Sequence, residues 1–190
     1  PLPSRVTCEA GPMKSKEKIL VHKGMDRVRR NEFEDAIGLF DQVLEMNVEN
    51  ADAWNNKGVA LFRLGRPEEA LDAYNRALQA DPESSEALRN RAFVLRAMGR
   101  FEEALETYEK IIAIEPEPTD FRNLATVLVG MGCLEEALGA LMEAANMEPS
   151  IAVEREIEAL RRVIMEVAIR AEFGGVLPGE GGGADRPGEG

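Results

Sequence analysis

Three segments of this chain align with one another over their whole length. GVALFRLGRPEEALDAYNRALQADP (58–82) lies over AFVLRAMGRFEEALETYEKIIAIEP (92–116) and over ATVLVGMGCLEEALGALMEAANMEP (125–149). A weaker copy, GMDRVRRNEFEDAIGLFDQVLEMNV (24–48), precedes them, and the offsets are 34, 34 and 33 residues. A period in this range marks a unit too small to bury its own apolar face, so neighbouring units must stack to form a continuous core. The chain thus divides into four units, over residues 17–50, 51–84, 85–117 and 118–151.

Each unit reads as two helices. The first carries a large apolar residue (Leu20, Trp54, Leu88, Phe121) and, four positions on, a small one (Gly24, Gly58, Ala92, Ala125). Three further on stands Leu61, Leu95 or Leu128, with Arg27 as the exception. That spacing is one helix face. Gly65, Gly99 and Gly132 then stop the helix where a left-handed residue is wanted, and Asn31 takes that place in the first unit. The second helix brings Ala36, Ala70, Ala104 and Ala137 opposite the small residues of the first, with Phe40, Tyr74, Tyr108 and Leu141 in the next layer. Pro82, Pro116 and Pro149 close three of the units, and Val48 the first. Acidic pairs (Glu34-Asp35, Glu68-Glu69, Glu102-Glu103, Glu135-Glu136) fall in the first turn of each second helix, where they complement the helix dipole.

This pattern resembles the tetratricopeptide repeat family. The resemblance implies an all-α fold, a right-handed α-α superhelix of helix-turn-helix repeats, with a concave inner surface lined by the first helix of each pair. It implies a scaffold or adaptor that binds other proteins. The departures at Arg27, Asn31 and Val48 suit a terminal repeat with one face in water.

Around the repeats, residues 1–16 read as a flexible leader without the apolar core of a secretory signal. Residues 152–173 read as a capping helix whose stripe, Val153, Ile157, Leu160, Ile164, Val167 and Ala171, covers the last repeat. The alternative is that this narrow stripe is an assembly surface, giving a weak homo-oligomer instead of a monomer. Residues 174–190, rich in Gly and Pro, read as a disordered tail.

Composition narrows the function classes. A formal net charge of -12 opposes nucleic acid and anionic membrane surfaces as general partners. No apolar run approaches the length of a membrane span. Cys8 and Cys133 are far apart and read as free thiols, consistent with a reducing, cytoplasmic setting. His22, the single histidine, has no nucleophile at a recognisable spacing, so no enzyme, metal or cofactor is expected.

The candidate site is a second stripe on the first helices. It comprises Lys18, His22, Met25 and Arg29; Asp52, Asn56, Val59 and Arg63; Glu86, Asn90, Phe93 and Ala97; and Thr119, Asn123, Thr126 and Gly130. The resemblance implies that this stripe faces the groove. Asn is a poor residue for a helix interior, yet Asn56, Asn90 and Asn123 recur there. An amide both donates and accepts, so such a ladder suits the backbone of an extended peptide. The alternative is that each Asn bonds a neighbouring repeat. Lys18, Arg29, Arg63, Arg89, Arg96 and Arg122 lie on or beside the stripe, which makes a locally basic groove for an acidic segment, with Val59 and Phe93 as apolar anchors. Chaperone-binding members of the family use a two-carboxylate clamp. Its positions fall here on Val21, Met25, Asn56, Glu86 and Asn90, or one repeat later on Asn55, Val59, Asn90, Thr119 and Asn123. Each set has a single match, which argues against a chaperone C-terminal tail as partner.

Overall fold

The computed structural model describes residues 12–172; the tail expected over 174–190 lies outside them, as do residues 1–11 of the expected leader. Nine helices and no strand occur among the described residues. They are α1 (Pro12–Arg29), α2 (Phe33–Met46), α3 (Ala51–Arg63), α4 (Pro67–Ala80), α5 (Ser85–Ala97), α6 (Phe101–Ile114), α7 (Pro118–Met131), α8 (Leu134–Met147) and α9 (Ile151–Glu172). Residues 12–16 are therefore helical and not part of a leader. Pro12 suits a first helical position, and the Lys and Glu residues beyond it favour helix. The helices form two compact units, α1–α6 up to Pro116 and α7–α9 from Glu117.

In the first unit three helical hairpins pack in sequence. Their turns are set by backbone chemistry: Gly65 and Gly99 hold φ of 77° and 73°, and Asn31 holds φ of 60°. Ala36, Ala70 and Ala104 are fully buried, and Phe40, Tyr74 and Tyr108 lie almost wholly in the core. Full burial of each such ring stabilises by about 1.5–3 kcal/mol. The small residues of the first helices do not simply meet those alanines. A Cβ on Gly24 would lie 2.5 Å from Cε1 of Phe40, and one on Gly58 would lie 2.6 Å from Cε1 of Tyr74. The glycines thus make room for an aromatic ring, which the alanine pairing had left out of account.

Polar groups fix the helix starts. Asn50 caps α3 through Oδ1, which accepts from the N–H of Ala53 at 2.8 Å, and Ser84 caps α5 in the same way. Arg66 and Arg100 stand at the cap positions of α4 and α6, each gripping the carboxylate one turn in, Glu69 and Glu103. Arg27, the exception on the apolar face, instead pairs with Glu32 and Asp35 of its own hairpin.

In the second unit, α7 opens with a capping box in which Asp120 Oδ2 accepts from the N–H of Glu117 at 2.9 Å. Gly132, at φ 82°, ends α7. Helix α9 packs on α8 and buries Val153, Ile157 and Leu160. Beyond Leu160 the cover thins: of the stripe Ile164 is half-buried and Val167 53 % exposed, and beside it Val163 and Met165 are 44 % and 65 % exposed.

Candidate functional site

The first helices of unit one meet along their own faces, α1 with α3 and α3 with α5. Near their N-terminal ends lies a cavity of about 530 Å3, into which α1 contributes Lys18, Val21 and His22, α3 Asp52 and Asn56, and α5 Glu86. Three expected site residues, Lys18, His22 and Asn56, are therefore brought together.

The amides of this face are not equivalent. Asn56 is half-buried, its Nδ2 donates to the carbonyl of Asp52 in its own helix at 2.8 Å, and its Oδ1 has no partner among the described residues. Asn90 donates from Nδ2 to Oδ1 of Asn55 at 2.9 Å, and Asn55 in turn donates to Oε1 of Glu86 at 2.9 Å. Asn90 thus ties its repeat to the preceding one, while its own Oδ1 has no partner among the described residues. His22 lies exposed, its Nδ1 3.2 Å from the carbonyl of Lys18.

The cations behave differently from their sequence reading. Arg29 pairs with Asp26 at 2.7 Å, and Arg89 donates to the carbonyl of Glu115 at 2.8 Å. Arg63 is exposed with no carboxylate partner among the described residues. Arg96 lies over Phe93, 5.3 Å from its centroid, and its Nε is buried without an acceptor among the described residues. Phe93, 45 % exposed, meets Phe62 edge-on at 5.6 Å, and Val59 is half-buried. The cavity itself holds Glu17, Asp52 and Glu86 against Lys18, so this end of the face is acidic. The expectation of a basic surface fails there, because it omitted Glu17 and counted arginines that turn to partners within their own unit.

In unit two, Asn123 and Arg122 line a cavity of about 530 Å3 between α7 and α9, with Thr126, Val129, Leu160 and Val163. Arg122 forms a forked pair with Glu156 of α9, its Nε donating to Oε2 at 3.1 Å. The bond to Glu156, with the pair's Coulomb attraction, holds the Arg122 guanidinium above its ordinary pKa.

Sequence reasoning missed Glu17, Asn55, Phe62 and Glu156. A signal existed for one of them: Asn55, Arg89 and Arg122 share a single repeat position. From it Asn55 reaches Glu86 of the next first helix and Arg122 reaches Glu156 of α9. Among the described residues no group of His, Cys, Asp and Glu side chains is placed to hold a metal, and no helix is long and apolar enough to cross a membrane.

The family model described as Tetratricopeptide repeat matches residues 22–85 and 66–120, together just over half of the chain. No curated protein sequence matches significantly. Among solved structures, MamA from residue 41 onward, from Desulfovibrio magneticus RS-1, superposes with TM-score 0.74 at 20 % identity, over 84 % of this chain and 92 % of that one. Pseudomonas aeruginosa PilF gives 0.73 at 22 % identity, over 92 % of this chain and 80 % of its own. YrrB, described as a TPR protein with an unusual peptide-binding site, gives 0.66 at 23 %, over 76 % and 75 %. At these identities the likeness is one of fold.

Proposed function

Since this chain belongs to the tetratricopeptide repeat family, we propose that it is a non-enzymatic adaptor that receives an extended segment of a protein partner on the first-helix face of unit one. The observation that carries the reading is the pair of amide oxygens on Asn56 and Asn90, both without donors among the described residues, the first opening on a cavity of about 530 Å3. A peptide backbone offers N–H groups that such oxygens accept. Packed helices lie about 8–10 Å apart and an extended chain advances about 3.3–3.6 Å per residue, so the two amides suit positions roughly three residues apart. Val59 and Phe93 supply apolar contact, and Arg63 a seat for an acidic side chain. YrrB, a relative in fold, is described as having a peptide-binding site. Asn123 serves the same role on the first helix of unit two, within its own cavity.

The double variant Asn56→Ala/Asn90→Ala tests this. Helix propensity favours Ala by up to about 0.7 kcal/mol per site. The lost link to Asn55 works against that gain, so the melting temperature is expected to change little. Affinity for a peptide mapped from a captured partner is expected to fall by about 0.5–1.5 kcal/mol per site. Unchanged affinity would remove the amides from the site.

A second reading, assembly through α9, is favoured by the exposed Val163, Met165 and Val167 past the packed part of that helix.

A further inference from the structure

The first-helix face of unit one is not uniform from end to end, and its two ends ask for opposite charges. At the N-terminal end, Glu17 is only 9 % exposed yet has no cationic partner among the described residues. Both hydrogen bonds that it accepts, from the amides of Asn47 and Asn50 at 3.1 Å, go to Oε2. Its Oε1 receives none among the described residues, and Glu17 lines the cavity together with Asp52 and Glu86. That oxygen keeps access to the cavity, so a donor on a bound segment can reach it while the rest of the side chain is nearly buried. Lys18 is the one lysine or arginine in the cavity lining, and it forms no ion pair among the described residues. Val21 and Met25 add an apolar wall suited to the methylene stem of a long basic side chain.

At the C-terminal end the surroundings reverse. Arg63 and Arg96 have no carboxylate partner among the described residues, whereas Arg66 and Arg100, at the starts of α4 and α6, do. Arg96 lies over the half-exposed ring of Phe93. A guanidinium held over an aromatic ring in this way can still donate to a carboxylate.

We propose, on the footing of the peptide-binding reading above, that this face selects a partner segment carrying a Lys or Arg for the Glu17–Asp52–Glu86 cavity and an Asp, Glu or terminal carboxylate for the Arg63–Arg96–Phe93 end. Asp52 and Arg63 stand eleven residues apart on one helix, which is roughly 16 Å at about 1.5 Å per residue. An extended chain that crosses the helices obliquely, past Asn56 and Asn90, covers that span in about five residues. The ligand is therefore a dipolar segment with its charges about four to six positions apart, the distance that the helix sets.

Random twelve-residue peptides displayed on phage and panned against the full chain provide the test, followed by fluorescence anisotropy of the recovered peptide at about physiological salt. The expected result is a consensus with one basic and one acidic position about five residues apart. The same peptide with those two residues exchanged is expected to bind about tenfold more weakly or worse. Asp52→Asn/Glu86→Gln, which keeps the acceptor that Asn55 uses, is expected to abolish the preference for the basic position alone. Arg63→Gln/Arg96→Gln is expected to abolish that for the acidic position alone. A consensus without a basic position, or equal binding of the exchanged peptide, overturns the polarity while the peptide-binding reading stands. Peptides whose affinity ignores Asn56→Ala/Asn90→Ala as well as all four charge substitutions overturn both.

Discussion

Gly58 and Gly38 are both glycines inside helices, and they should answer the same substitution with opposite signs. Replacing a helical glycine by alanine gains about 0.5–1 kcal/mol where there is room. Nothing lies within 4 Å of a Cβ placed on Gly38 or Gly139, so Gly38→Ala and Gly139→Ala are expected to raise the melting temperature. At Gly58 the added carbon meets the ring of Tyr74 at 2.6 Å, and overpacking of that kind costs about 1–3 kcal/mol. Gly58→Ala is therefore expected to melt lower, as differential scanning calorimetry would record. The cap arginines make a second residue-scale prediction. Hydrogen bonds from Arg66 and Arg100 hold the Glu69 and Glu103 carboxyls below their ordinary range. A depressed folded-state value contributes stability above the unfolded value of about 4.3 and loses it as the pH falls through the folded one. Arg66→Ala/Arg100→Ala should flatten the acid limb of stability between those limits and return both carboxyls to ordinary titration by NMR. The effect is small, since both pairs face solvent. Equal acid limbs in variant and parent would refute it.

Helix α9 is where one element has two candidate uses. Its first half is packed and its second half presents Val163, Met165 and Val167 to solvent. Ile157→Glu/Leu160→Glu puts charge into the packed half and is expected to destabilise unit two by several kcal/mol, about 2–5 per buried site by analogy with large-to-small changes. Val163→Glu/Val167→Glu is expected to leave the melt nearly unchanged. If α9 also mediates assembly, only this second pair lowers the mass seen by light scattering across a concentration series. A stable Ile157→Glu/Leu160→Glu variant would mean that the packed half is not packed. Periodicity revealed that α9 exists and which stripe is apolar. It could not divide the stripe into covered and bare halves, because that depends on the length of α8 beneath it. The helical hairpins were legible for the opposite reason: Gly65, Gly99 and Gly132 have positive φ, and the aromatic layer repeats in register with them. The partners of Asn55, Arg89 and Arg122 were not legible, since a side chain's reach to another helix leaves no trace in a single segment.

At the scale of the whole chain, the division after Pro116 matters most. Unit one contains three complete hairpins, and both ends of the proposed peptide face lie within it. A fragment comprising residues 1–116 is expected to keep a cooperative thermal transition and the helicity per residue of the full chain. A broad, non-cooperative melt by circular dichroism would show that unit one needs α7–α9 to fold. Net charge described the molecule as acidic, whereas the locally basic face was read from the cations of the stripe, a reading that left out Glu17 because it stands off that stripe.

The bond from Asn55 to Glu86 points forward along the chain, as do those from Arg89 and Arg122. Asn55 is almost fully buried, and its donor is satisfied only once Glu86 is in place. During synthesis on the ribosome the N-terminal hairpins emerge first. The second hairpin must then wait with an unpaired amide until α5 has left the exit tunnel. The second hairpin is thus completed by the third, so its last native contacts should trail the growing chain by one hairpin.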